Sequence, residues 1–104
     1  MTATVTAVIV AFDDGLVLER CLRSLRDWFT GPIVVVDNAS SDDTGEVASR
    51  LASELREVRV IHADVNSGYA AGVNLAREAT DTTYLAVMNA DCVVTGDWID
   101  PCVE

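Results

Sequence analysis

The sequence predicts an α/β domain built on a parallel sheet, and three observations carry that expectation. Short apolar runs rich in β-branched residues recur four times along the chain. Longer segments with helical periodicity separate them. Each run closes on carboxylate, amide or hydroxyl residues, as the ends of parallel strands do when they open onto a ligand edge.

Val5 to Phe12 (VTAVIVAF) reads as the first strand. Its continuous apolar character marks a strand covered on both faces. Leu18, Leu22, Leu25 and Phe29 then repeat at spacings of four, three and four, which puts them on one face of a first helix. After the Gly31-Pro32 turn, Ile33 to Val36 (IVVV) is a second strand. Val47, Leu51 and Leu55 form the stripe of a second helix, entered through an expected capping box with Asp43 as N-cap and Glu46 three residues on. Val58 to His62 (VRVIH) is the third strand, Tyr69 to Ala79 an alanine-rich third helix, and Tyr84 to Met88 (YLAVM) the fourth strand. Right-handed crossovers favour the strand order 3-2-1-4, with a topological switch point between strands one and four. Asp100-Pro101 reads as N-cap and first residue of another helix. Only three residues follow, so the chain reads as part of a longer natural one, a sheet apparently truncated.

The 104 residues fit one domain, and the hydrophobic half of them excludes a disordered acidic chain. The net charge of −10 argues against nucleic acid or an anionic membrane as a partner. All seven basic residues are arginine. With no lysine, phosphate-loop, Schiff-base and lysine general-base chemistry are excluded. A phosphate-bearing ligand would then need a metal ion or backbone amides to offset its charge. Cys21, Cys92 and Cys102 form no paired motif, which suits a reducing, cytoplasmic setting. The uncharged N-terminal run stops at Asp13-Asp14, short of the ~18 residues a membrane span needs.

Polar residues fall after every strand: Asp13-Asp14, then Asp37-Asn38-Ala39-Ser40-Ser41-Asp42-Asp43, then Asn66-Ser67-Gly68, then Asn89-Ala90-Asp91. One such turn means little, because these residue types make turns and caps anywhere. Four on one edge suit a divalent cation together with sugar hydroxyls or the ring N–H of uracil or thymine, whereas N3 of cytosine is itself an acceptor. His62, the one histidine, reads as a surface residue.

The run VIVAFDD, VVVDNASSDDT, NSGYAAGVN and MNAD resembles the nucleotide-binding half of the family 2 glycosyltransferases with the GT-A fold, over about Val5 to Trp98. The spacing of Asn66, Gly68, Gly72 and Asn74, with Asn89-Ala90-Asp91, is most similar to the branch with rhamnosyl- and galactofuranosyl-type transferases. The resemblance implies that residues 1–104 form the nucleotide-sugar-binding half of a GT-A domain. It implies an inverting, metal-dependent enzyme of cell-wall or polysaccharide biosynthesis, moving sugar from a UDP- or dTDP-sugar to an acceptor hydroxyl. Asp37 would accept a hydrogen bond from the base, with Asp13 beside it. Asp91 would bind Mg2+ or Mn2+ and through it the diphosphate, and Asn89 would bond a ribose hydroxyl. Asn66 and Gly68 would bind the nucleotide-sugar, with Gly68 and Gly72 allowing close backbone approach. Asn74 either orders the loop–helix junction or contacts the ligand.

The departures are Ala11-Phe12-Asp13 where many relatives have Thr-Tyr-Asn, Val73 where many have Arg, and no counterpart of the family's catalytic base or acceptor half. The implied partners are the donor and a glycan, lipid-linked or small-molecule acceptor. The implied location is cytoplasmic, reaching the inner membrane face through regions not in this chain. An unpaired strand four would make the chain self-associate. The alternative readings are a non-catalytic nucleotide-sugar-binding or protein-interaction domain, and a receiver domain, which lacks its lysine here.

Overall fold

The structure, a computed structural model, describes residues 4–103. Its elements alternate as expected: β1 (Val5–Ala11), α1 (Gly15–Trp28), β2 (Ile33–Asp37), α2 (Thr44–Glu54), β3 (Val58–His62), α3 (Tyr69–Glu78), β4 (Tyr84–Asn89) and α4 (Ile99–Val103). The four strands form one sheet in the order β3-β2-β1-β4, every neighbouring pair parallel. The register sets Ala11 opposite Asp37, Asp37 opposite His62, and Val10 opposite Asn89. The four strands therefore finish level, and the loops after them share one edge.

Alternation along β1 and β2 divides the core between the two faces of the sheet. Ala7, Ile9, Ile33 and Val35 point to the face covered by Leu18, Leu22 and Leu25 of α1 and Leu51 of α2, with Met88, Val94 and Ile99 closing that side. Val8, Val10, Val34 and Val36 point the other way, against Ala76 of α3. Gly72 lets α3 settle on β1, because a Cβ there would stand 2.8 Å from Val10 Cγ1. All of β1 and β2 is buried, as continuous apolar runs require. The outer strands β3 and β4 are only partly covered, since each has an open edge. No helix among the described residues is long and apolar enough to cross a membrane.

Two helix starts differ from the sequence expectation. The capping box at α2 does not form: Asp43 is the N-cap by position, but its side chain makes no cap hydrogen bond. The neighbouring Asp42 takes that place, accepting the Thr44 N–H at 2.9 Å and the Thr44 hydroxyl on Oδ1. A carboxylate two residues ahead of a free first-turn N–H reaches it in a tight local ring. The last helix begins at Ile99 rather than after Asp100, so Pro101 occupies its first turn, where no N–H is required of it. Glu104 lies outside the described residues.

Candidate active site

A cavity of about 400 Å³ opens at the carboxyl edge, where β1 and β4 part company. It is lined by Val10, Phe12 and Asp14 after β1, Asn38 after β2, Asn66, Gly68 and Tyr69 at the start of α3, and Asn89, Ala90 and Asp91 after β4. This is the switch point that the strand order predicts as the ligand crevice.

Each wall has a local cause. On the β4 side, the Cys92 N–H donates to the Asn89 carbonyl at 3.2 Å, closing a turn that buries Ala90 and leaves Asp91 exposed at its tip. The Cys21 thiol donates to the same carbonyl from beneath, at 3.7 Å. Burial, with Cys92 nearby, pushes that thiol up to about 12, so Cys21 acts as a neutral prop rather than a nucleophile.

On the opposite side, Asn38 is buried and its backbone N–H extends the β1–β2 ladder to Ala11. Its side-chain amide donates to Asn66 Oδ1 at 3.0 Å and to the Gly68 carbonyl at 3.1 Å. Asn66 Oδ1 also accepts the Gly68 N–H at 2.9 Å. Gly68, at φ +99°, sits in a backbone conformation that L side chains rarely adopt. Asn38, Asn66 and Gly68 thus form a fixed wall that sets where α3 begins. A second hollow of about 340 Å³ lies beyond it, lined by Asn38, His62, Asp64 and Ser67 among others.

The first-strand loop is where residues next to each other take different jobs. Asp14 faces the cavity, its Oδ2 accepting the Phe12 N–H at 3.0 Å. Asp13, at φ 53°, turns the other way. Its Oδ1 accepts N–H bonds from Ser41 at 2.8 Å and Asp42 at 3.3 Å, so it ties the loop after β2 in place.

Asp37 is buried behind that loop, Oδ1 accepting the Ser40 N–H at 3.1 Å and Oδ2 facing His62 Nδ1 at 3.3 Å. Of the residues singled out from the sequence, Asn66, Gly68, Asn89 and Asp91 line the cavity, whereas Asp13, Asp37 and Asn74 do not. Asn74 is exposed on α3. The sequence marks Asp14 and Asn38 only as members of their strand-end polar runs, His62 only as a surface residue and Tyr69 only as a helix start.

No cluster of three or more His, Cys, Asp or Glu among the described residues is placed to hold a metal by itself. Asp14 and Asp91 are the two carboxylates lining the cavity, beside amide oxygens. Mg2+ is commonly held by one or two carboxylates plus substrate phosphates and water. The donor set therefore fits a hard cation that arrives with a diphosphate better than a permanently caged ion.

Residues 6–104 match the sequence profile of Glycosyl transferase family 2. Among curated proteins, Glycosyltransferase GlyG of Streptococcus pneumoniae serotype 4 is 22% identical over 102 residues, covering 96% of this chain and 34% of that protein. The PGL/p-HBAD biosynthesis glycosyltransferase of Mycobacterium bovis is 30% identical over 94 residues, covering 88% of this chain and 37% of its own length. This chain therefore spans about a third of the curated relatives it matches.

Among solved structures, S. aureus TarS in complex with UDP superposes with a TM-score of 0.82 at 17% identity, over 97% of this chain and 31% of that one. The mannosyltransferase PcManGT from Pyrobaculum calidifontis, in complex with GDP-Man and Mn2+, gives 0.80 at 21% identity, over 86% and 28%. These likenesses establish the GT-A fold. The profile match covers nearly every residue of the sheet and of the loops along its carboxyl edge, and the chain belongs to glycosyl transferase family 2.

Proposed function

We propose that the chain is the donor-binding part of an inverting, metal-dependent glycosyltransferase, taking a UDP- or dTDP-sugar and serving transfer to an acceptor hydroxyl. The observation that carries this reading is the cavity at the switch point, where Asp91 and Asp14 stand among the amides of Asn38, Asn66 and Asn89. The UDP of one structural neighbour and the GDP-Man and Mn2+ of another support a nucleotide-sugar donor and a cation as the ligands.

In this reading the donor lies along the carboxyl edge. Its base sits toward the β2 side, where Asp37 accepts the ring N–H of uracil or thymine, and Asp13 holds the loop that frames it. Asn89 bonds a ribose hydroxyl. Gly68 and Asn66 fix the entry to α3, and Asn74 steadies that helix on its exposed side. Asp91, at the tip of its turn, holds Mg2+ or Mn2+. When bound, the cation offsets the charge of the diphosphate as it leaves. With no lysine in the chain, the protein's own contribution to that end is two carboxylates that recruit the ion and amides that orient the ligand.

Acceptor binding and the base that takes the acceptor's proton are assigned to the part of the relatives that this chain does not span. The spacing of Asn66, Gly68, Gly72 and Asn74 favours the rhamnosyl- and galactofuranosyl-type branch. The three free cysteines favour a cytoplasmic site of action, reaching the inner face of the membrane through parts of the relatives that this chain does not span.

Calorimetric titration with UDP, dTDP and CDP, each with and without Mn2+, tests the proposal. UDP or dTDP should bind only with the metal, and CDP not at all. Asp91→Ala should abolish the metal-dependent part. Failure of all three nucleotides with Mn2+, or equal binding by Asp91→Ala, would overturn it and leave a protein-interaction role instead.

A further inference from the structure

Asp37 does not stand alone behind its loop. His62, level with it on β3, faces Asp37 Oδ2 through Nδ1 at 3.3 Å. Its other nitrogen, Nε2, meets Ser49 Oγ of α2 at 3.2 Å. Gly45 lets α2 pass close to the same oxygen, since a Cβ there would stand 2.6 Å from Asp37 Oδ2. The order Ser–His–Asp is that of a nucleophilic triad, but Ser49 lies inside α2, whose backbone N–H groups are committed to the helix. With no donors to hold an oxyanion there, the arrangement orients groups rather than attacks a substrate.

We infer that His62 is a positioning residue for Asp37: it aims that carboxylate at the donor's base, and it competes with the base for the carboxylate when the imidazole takes up a proton. The inference rests on the reading that Asp37 accepts the base N–H. With Ser40 N–H on Oδ1 and an Nδ1–H on Oδ2, the plane of the carboxylate is fixed from both sides. The Asp37 carboxylate, which only accepts, selects the tautomer with the ring proton on Nδ1, and Ser49, whose hydroxyl can donate, suits the bare Nε2 that this leaves. Protonation places a full positive charge beside Oδ2, which weakens the carboxylate as an acceptor for any further N–H.

The groups around His62 leave Asp37 as its charged partner. From β2 it faces Asp37, and from α2 the uncharged Gly45 and Ser49. The adjacent Arg50 is drawn away into ion pairs with Glu19 and Glu54, and Glu46 follows Gly45 in α2. Asp64 lines the same hollow, and from α3 come only Ala71 and Leu75.

The test compares UDP affinity with Mg2+ at about pH 8 and about pH 5.5, the range over which imidazoles change charge. Wild type should bind about ten-fold more weakly at the lower pH relative to His62→Asn, whose side-chain N–H replaces Nδ1–H and cannot titrate. Taking the ratio to His62→Asn cancels the titration of the phosphates of UDP. His62→Ala should bind about five-fold more weakly than wild type at the higher pH. Nitrogen-15 NMR of the wild-type ring at pH 8 should show the Nδ1–H tautomer, a readout that needs no variant.

Parallel pH profiles for wild type and His62→Asn, or an Nε2–H tautomer, would overturn the inference. Asp37→Asn separates it from its foundation. If that variant keeps full UDP affinity, the assignment of Asp37 to the base is wrong. If it loses affinity while the His62 profiles stay parallel, Asp37 binds the base without help from His62.

Discussion

Asn38 offers the sharpest energetic handle on the site, because it is 3% exposed and its side chain donates twice, to Asn66 Oδ1 and to the Gly68 carbonyl. Truncation to alanine removes two hydrogen bonds worth about 1 kcal/mol each. Neither acceptor is orphaned: Asn66 Oδ1 keeps the Gly68 N–H, and the Gly68 carbonyl keeps the Gly72 N–H at 3.2 Å. The expected loss for Asn38→Ala is therefore about 2 kcal/mol, or a fall in Tm of about 8–16 °C for a domain of this size.

Asn38→Asp keeps the shape and reverses the polarity, setting a buried carboxylate against two oxygen acceptors. Asn66 cannot flip to help, since its amide nitrogen would then face the Gly68 N–H, donor against donor. The expected loss is about 3 kcal/mol or more. Urea unfolding followed by circular dichroism measures both variants. An aspartate variant within about 0.5 kcal/mol of wild type would refute the claim that this amide holds the wall together.

The geometry sets three further outcomes. Asp42 is held below the usual carboxylate range by its hydrogen bonds from Thr44, and Glu19 by its pairing with Arg50 and then Arg23. Depressed carboxylates add stability above their unfolded values, near pH 4, and lose it as pH falls through the folded ones, so urea midpoints should drop on the acid side. Asp42→Asn should flatten that drop, and an unchanged slope would contradict it. Glu57 is exposed at φ 52°, so Glu57→Gly should stabilise the chain by about 0.5–1 kcal/mol in urea, whereas a destabilised variant would show that the turn needs its side chain. The outer edge of β4 presents Tyr84 and Val87 to solvent, so light scattering should detect self-association that Val87→Lys relieves; a monomer in the wild type would contradict this.

The fold was legible because its signals are strong and local. Runs such as Val5–Ala11 and Ile33–Asp37 are apolar almost without interruption, and the Leu18, Leu22 and Leu25 stripe repeats at helical spacing. Chirality of the crossovers then left one strand order, the one observed. The site was legible to the level of the loop and not of the side chain. Nothing in Asp13-Asp14 says which carboxylate faces the cavity; the left-handed backbone at Asp13 decides it, and that depends on Ser41 and Asp42, 28 and 29 residues away. The same distance effect hid His62, an unremarkable strand end until the register sets it beside Asp37. At α2 the expected Asp43 cap gave way to a bond from Asp42 to the first N–H, a carboxylate also held by the distant Gly15 N–H on Oδ2 at 3.2 Å.

The central claim is that a nucleoside diphosphate and its cation occupy the carboxyl edge through Asp91. Paramagnetic Mn2+ broadens the amide resonances of residues close to it, so a nitrogen-15 correlation spectrum locates the ion directly. With UDP present, the account predicts broadening at Asn89, Ala90, Asp91 and Asp14, chemical-shift changes at Asn38, Asn66 and Gly68, and loss of the broadening in Asp91→Ala. Broadening centred elsewhere, such as the Glu19–Glu54 face of α1 and α2, or unchanged in Asp91→Ala, would contradict it.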